Sequence, residues 1–113
     1  MISEETIQQA ARLLGEAAAS PARVFVFGSY ARGDAKADSD IDFLVIEREV
    51  ENRRAEAVRL YGALAPLPLP ADIVVVSEAE AAAPASPAVR DAIFEGRLVY
   101  EHAGSRALRD DAA

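Results

Sequence analysis

The sequence has 113 residues, 51 % of them hydrophobic and 27 % charged, with a formal net charge of −7. That length fits one domain with one modest core, and the composition is that of a chain that folds rather than one that stays disordered. Its 12 basic residues are scattered with no basic stripe, which argues against stable nucleic-acid binding. Without cysteine there are no disulfides and no thiolate metal sites, so any metal must sit on oxygen ligands.

The opening MISEETIQQ has neither a basic region nor an apolar run, and no apolar stretch approaches a membrane span, so a cytoplasmic protein is expected. Ser3 can cap a helix whose first turn carries Glu4 and Glu5, where carboxylates suit the helix dipole. Ile7, Ala10, Ala11, Leu14 and Ala18 follow at helical spacing, which predicts a helix over residues 4 to 19, ended by Ser20 and Pro21. RVFVF (23 to 27) reads as a strand that stops at a glycine.

Residues 28 to 39, rich in Gly, Ala, Asp and Ser, read as a loop with room for one helical turn. IDFLVI (41 to 46) is a second strand, apolar on both faces beyond Asp42 and therefore central. EVENRRAEAVRLYGALA suits a helix with Val50, Ala57, Val58, Tyr61 and Leu64 inward, ended by the proline run PLPLP. ADIVVV (71 to 76) is a third strand. Ser86 and Pro87 open a last helix to residue 95 with Gly96 as its C-cap, and RLVYE (97 to 101) can add a short strand. Residues 1 to 102 are expected to form the domain and 103 to 113 a flexible tail.

Two aspartates stand at the head of the second strand. In extended chain Asp40 and Asp42 leave the same face, their Cα atoms ~6.6 Å apart at a rise of roughly 3.3 Å per residue. Like charges beside a buried strand repel and resist desolvation unless a cation sits between them, and carboxylate-only ligation selects hard cations such as Mg²⁺ or Mn²⁺. An isolated Asp-x-Asp is more often a solvated strand end, and Asp72, alone at the mouth of DIVVV, is more often a turn residue. Gly28 and Ser29 follow the first strand directly, where a glycine lets backbone approach a ligand and the next amides and hydroxyl can hold phosphate oxygens. Taken singly that pair is a turn, and Arg32 either meets a phosphate or faces solvent.

The order of these parts is more specific than any of them. Gly28-Ser29, Ala31-Arg32-Gly33, Ser39-Asp40-Ile41-Asp42 and the distant Asp72 resemble the nucleotidyltransferase superfamily of DNA polymerase beta, and most closely its minimal nucleotidyltransferase (MNT) domains. The resemblance spans essentially the whole chain, with no motif position broken. It implies an α/β (α+β) fold, a single small domain with a central mixed β-sheet flanked by helices. It also implies that Gly28, Ser29, Arg32 and Ser39 bind the nucleotide, and that Asp40, Asp42 and Asp72 are catalytic and hold two Mg²⁺ ions, with Mn²⁺ as a substitute.

By the same resemblance, the acceptor hydroxyl attacks the α-phosphate of a nucleoside triphosphate, ATP by family expectation, and pyrophosphate leaves. Minimal relatives pair with small helical HEPN proteins as antitoxins, some by transferring AMP to toxin tyrosines; a homo- or hetero-oligomer is accordingly expected. Two rivals stand beside that reading: a non-catalytic module that blocks a HEPN partner, and a small-molecule transferase of the antibiotic type. His102 is expected on an exposed terminal segment without a catalytic role, and core packing or edge exposure is the simpler account of Tyr30, Tyr61 and Tyr100.

Overall fold

The first helix, α1 (Glu4–Ala17), is capped by Ser3, whose hydroxyl accepts from the Thr6 amide at 3.2 Å. It buries Ile7, Ala10, Ala11 and Leu14 along one stripe. It stops two residues short of the expected end because the Ala19 amide donates to the Glu56 carboxylate at 2.9 Å, an alternative to a further helical turn. The computed structural model describes residues 1–102; the tail expected over 103 to 113 lies outside them.

The remaining elements are β1 (Ala22–Phe27), α2 (Ser29–Arg32), β2 (Ile41–Glu47), α3 (Arg53–Ala63), β3 (Ala71–Ser77), α4 (Glu78–Ala82), α5 (Pro87–Glu95) and β4 (Arg97–Glu101). The strands form one mixed sheet in the order β3-β2-β1-β4. β1 runs antiparallel to both β2 and β4, and β2 runs parallel to β3. This is the small α+β domain with a central mixed sheet that the motif order implied. Among the described residues no helix is long and apolar enough to cross a membrane.

Period-two alternation divides the sheet's two faces. Val24 and Val26, Ile41, Phe43 and Val45, and Ile73 and Val75 meet α1 and α3 in the larger core. The opposite face carries Leu44, Ile46 and Val76 against Val89 and Ala92 of α5. β2 is buried on both faces from Phe43 to Glu47, in keeping with its central place. Asp42 and Asp72, in phase with Leu44 and Val74, therefore belong to the α5 face.

The helices depart from expectation at α3 and α4. α3 begins at Arg53, with the Asn52 side chain accepting from the Ala55 amide, and it turns Leu60 and Glu56 inward. Val58 is 66 % exposed and Tyr61 43 %, so neither points into the core as the apolar spacing suggested. The physical reason is Glu56: its buried carboxylate binds the Ala19 amide and Arg59 and fixes the rotation of the helix. Next, α4 was not anticipated; it is a short turn capped by Ser77, which accepts from the Glu80 amide. Gly96 caps α5 as expected, in an extended rather than a left-handed conformation. Its lack of a side chain is needed for contact instead, since a Cβ there would lie 2.7 Å from the Ala92 carbonyl oxygen and 3.3 Å from Phe25 Cβ.

Candidate active site

β1 ends at Phe27, paired across the antiparallel ladder with Asp42, and Asp42 is paired in turn with Asp72 across the parallel ladder. Neighbouring strands lie about 4.8 Å apart, so two carboxylates in parallel register stand side by side on one face. Gly28, next after Phe27, has φ 71 and ψ −148, a region that is essentially glycine's alone. A Cβ at Gly28 would also sit 2.3 Å from Asp42 Oδ2. The glycine is thus required twice, by its backbone and by the carboxylate packed against it.

Asp40 precedes β2, is exposed, and is delivered by a turn closed at Ser39, whose amide donates to the Lys36 carbonyl while its hydroxyl accepts from the Lys36 amide. Ser39 in this structure shapes the loop. Burial pushes the Asp42 carboxyl above its ordinary value, and the charges of Asp72 and Asp40 push it further, with Glu95 adding and Arg32 opposing. The three aspartates foreseen in the sequence therefore share one electrostatic neighbourhood with Arg32.

Ser29 opens α2, and its carbonyl accepts from the Gly33 and Asp34 amides, which folds Arg32 back toward Gly28. Gly33, at φ 85, provides the left-handed residue that ends this turn. The residue that sequence reasoning missed is Glu95. Its Oε1 accepts from the Gly28 amide at 2.8 Å, and Arg32 Nη1 donates to the same carboxylate at 3.2 Å. The only signal in the sequence was a carboxylate at the C-terminal end of a helix, where the dipole disfavours it.

The donor set is all oxygen, and the charges of Asp72 and Asp40 bear on Asp42, which suits a hard divalent cation in kind. As the side chains stand, no group of three or more His, Asp or Glu residues among those described is spaced to hold a metal ion. A cavity of about 350 Å³ lies elsewhere, lined by Ser20, Glu47, Glu49, Asn52 and Glu56 at the far end of β2. His102 also lies away from the site, its amide bonded to the Ala22 carbonyl at the start of β1. Tyr30 and Tyr61 accept through their hydroxyls from the Ile2 and Ile73 amides, and the Tyr100 ring fills the space left by Gly15.

Residues 7–100 match the family model of the nucleotidyltransferase domain. Among curated proteins no relative of the sequence is found. Solved structures with the same fold include a toxin–antitoxin complex with AMP-PNP, at TM-score 0.65 and 17 % identity over 89 % of this chain and 78 % of that one. A Sulfolobus solfataricus protein assigned to the nucleotidyltransferases superposes at TM-score 0.61 and 21 % identity, over 84 % of this chain and 77 % of that one. A toxin–antitoxin MntA–HpeT complex with a tyrosine-to-alanine change gives TM-score 0.57 and 22 % identity, over 96 % and 80 %. With 94 of its residues (7 to 100) inside that family model and its glycine turn and aspartates set on adjoining strands, this chain belongs to the nucleotidyltransferase domain family.

Proposed function

We propose that the protein is a Mg²⁺-dependent nucleotidyltransferase that moves AMP from ATP to a hydroxyl of a protein partner, a tyrosine of a HEPN-type toxin, and so acts as an antitoxin. One observation carries the reading: Asp42 and Asp72 stand in parallel register beside the glycine turn, with Asp42 half-buried and its carboxyl raised. A like-charge pair with one half-buried member is costly to the fold and persists where a ligand completes it.

In this reading Asp40, Asp42 and Asp72 hold the metal ions, which neutralise charge developing on the phosphate oxygens when bound. The Gly28 amide, Ser29 and Arg32 hold the triphosphate, with Ser39 supporting the loop. Asp72, exposed on the edge strand, faces the acceptor. The acceptor oxygen forms a bond to the α-phosphorus as the bond to the bridging oxygen breaks, pyrophosphate departs with that electron pair, and the hydroxyl proton passes to Asp72. The toxin–antitoxin neighbours, one with AMP-PNP and one altered at a tyrosine, support the choice of nucleotide and acceptor.

The test is Asp72→Asn, measured by titration with Mg-ATP beside label transfer from ATP to a co-expressed partner. Binding should survive on the remaining pair, while transfer falls by about 10²–10⁴-fold, the usual worth of a general base. Near-normal transfer would remove Asp72 from the site. Full toxin neutralisation with no added nucleotide mass would replace the transferase by a blocking module.

A further inference from the structure

Two of the donors that the proposed function gives to the triphosphate, the Gly28 amide and Arg32, are already engaged by the chain itself. Glu95 Oε1 accepts from the Gly28 amide at 2.8 Å, and its two oxygens lie 3.3 and 3.2 Å from Arg32 Nη1. Both bonds are charge-assisted, the kind that competes with phosphate for the same donors. The placement is otherwise unfavourable: Glu95 is the last residue of α5, at the negative end of the helix, and faces the Asp42 charge. No basic residue stands in the last turn of α5 to offset it. The contacts to Gly28 and Arg32 are what hold the side chain there.

The helix end beneath it is fixed. Gly96 packs so closely on Phe25 and on the Ala92 carbonyl that no Cβ fits. The carboxylate, by contrast, belongs to a side chain that is 28 % exposed, with Arg32 at 52 %. Release of the cradle is therefore a rotation of Glu95 into solvent, with α5 staying in place.

We propose that Glu95 is the resident anion of the phosphate cradle: it holds the Gly28 amide and Arg32 until a triphosphate takes its place, and it thereby sets the affinity for nucleotide. This rests on the nucleotidyltransferase reading and adds to it a residue that opposes substrate. Glu95 is a positioning residue on this account. It keeps Arg32 aimed across Gly28 and excludes weakly bound anions, and the price of that order is a weaker complex with nucleotide.

The experiment is calorimetric titration of the wild type, Glu95→Gln and Glu95→Ala with Mg-ATP and, separately, with Mg-tripolyphosphate, each protein checked by thermal melting. Both variants are expected to bind each probe about five- to tenfold more tightly, Glu95→Ala at least as well as Glu95→Gln, whose amide oxygen still accepts from Gly28. The gain should shrink when Arg32→Ala is added, because one of the two freed donors is then gone. The sign is the discriminating readout, since loss of a merely structural side chain weakens binding. Wild-type binding of Mg-ATP that is unchanged or weakened in both variants overturns the inference and leaves the transferase reading intact. If no protein binds Mg-ATP but the variants gain affinity for Mg-tripolyphosphate, the nucleotide reading falls and the role of Glu95 stands.

Discussion

Glu47 closes β2 with a carboxyl group that is fully buried, and its Oε2 has no conventional hydrogen-bond partner. Its Oε1 accepts only long bonds, 3.4 Å from the Ser20 amide and 3.5 Å from the Ser20 hydroxyl. Burial, then the Glu56 carboxylate, which accepts from the protonated Glu47 and repels the charged one, push its pKa up to about 8, against the opposing pull of Ser20 and Arg59. Glu56 goes the other way: burial would raise it, but bonds from Glu47, the Ala19 amide and Arg59 outweigh that and hold it below its ordinary value. The sign of the stability change follows from proton counts. From pH 4.5 to about 8 the folded chain keeps a proton on Glu47 that the unfolded chain has lost, so stability falls as pH rises through that window. The slope is up to about 1.4 kcal/mol per pH unit, and the whole window is worth at most about 5 kcal/mol. Glu56 contributes stability that is complete above its unfolded pKa of 4.5, so it does not offset the slope at neutral pH. Urea unfolding at a series of pH values from about 5 to about 8, at one ionic strength, reads this directly as the shift of the midpoint. Glu47→Gln, neutral and nearly isosteric, should flatten the curve and be the more stable protein at the alkaline end. A wild-type curve that is flat or rising, or a variant that keeps the slope, would refute the proton retained on Glu47.

Gly28→Ala should cost about 1–3 kcal/mol from backbone strain alone and lower affinity for Mg-ATP by moving Asp42; urea midpoints and titration check both, and the stability loss should shrink but persist in an Asp42→Ala background, where only the contact with the carboxylate is relieved. The rotation of α3 is tested by a pair: Leu60→Ala, at a fully buried site, should cost about 2–5 kcal/mol, whereas Val58→Ala, on the exposed side, should stay within about 0.5 kcal/mol. Equal effects in denaturant unfolding would mean that the helix sits in the register suggested by its apolar spacing.

The elements with an unbroken physical signal were legible before any coordinates. Ser3 with Glu4 and Glu5, and Ser86 with Pro87, mark helix starts that the structure keeps, because a cap is decided by a few adjacent residues. The all-apolar IDFLVI announced a central strand for a similarly local reason. What failed was decided at a distance. The rotation of α3 depends on Glu56 finding the Ala19 amide 37 residues earlier, and apolar spacing alone counts a buried glutamate as a surface residue. In the site, the glycine turn and the carboxylates could be read from their order. Glu95 could not, since its link to Gly28 crosses 67 residues and depends on how α5 lies over the sheet.

The meeting of Asp42 and Asp72 depends on one register in the sheet, and the proline run before β3 is part of what holds it. A shift of one residue between β2 and β3 would turn Asp72 to the face of α1 and α3 and carry Ile73 out of the core with it. The burial of Ile73, Val75 and Val76 resists such a slip along the strand. At its start a second constraint acts: the Ile41 amide donates to the Pro70 carbonyl at 2.9 Å, one residue ahead of the Ile41–Ala71 pair. Pro70 has no amide to offer another strand and a fixed φ, so the approach to β3 has few alternatives to that bond. The Tyr61 hydroxyl, accepting from the Ile73 amide, occupies the donor on the edge of the sheet just after Asp72. Together these contacts fix the backbone on both sides of Asp72. The like-charge pair can then stay at a half-buried strand mouth without the register yielding to its repulsion.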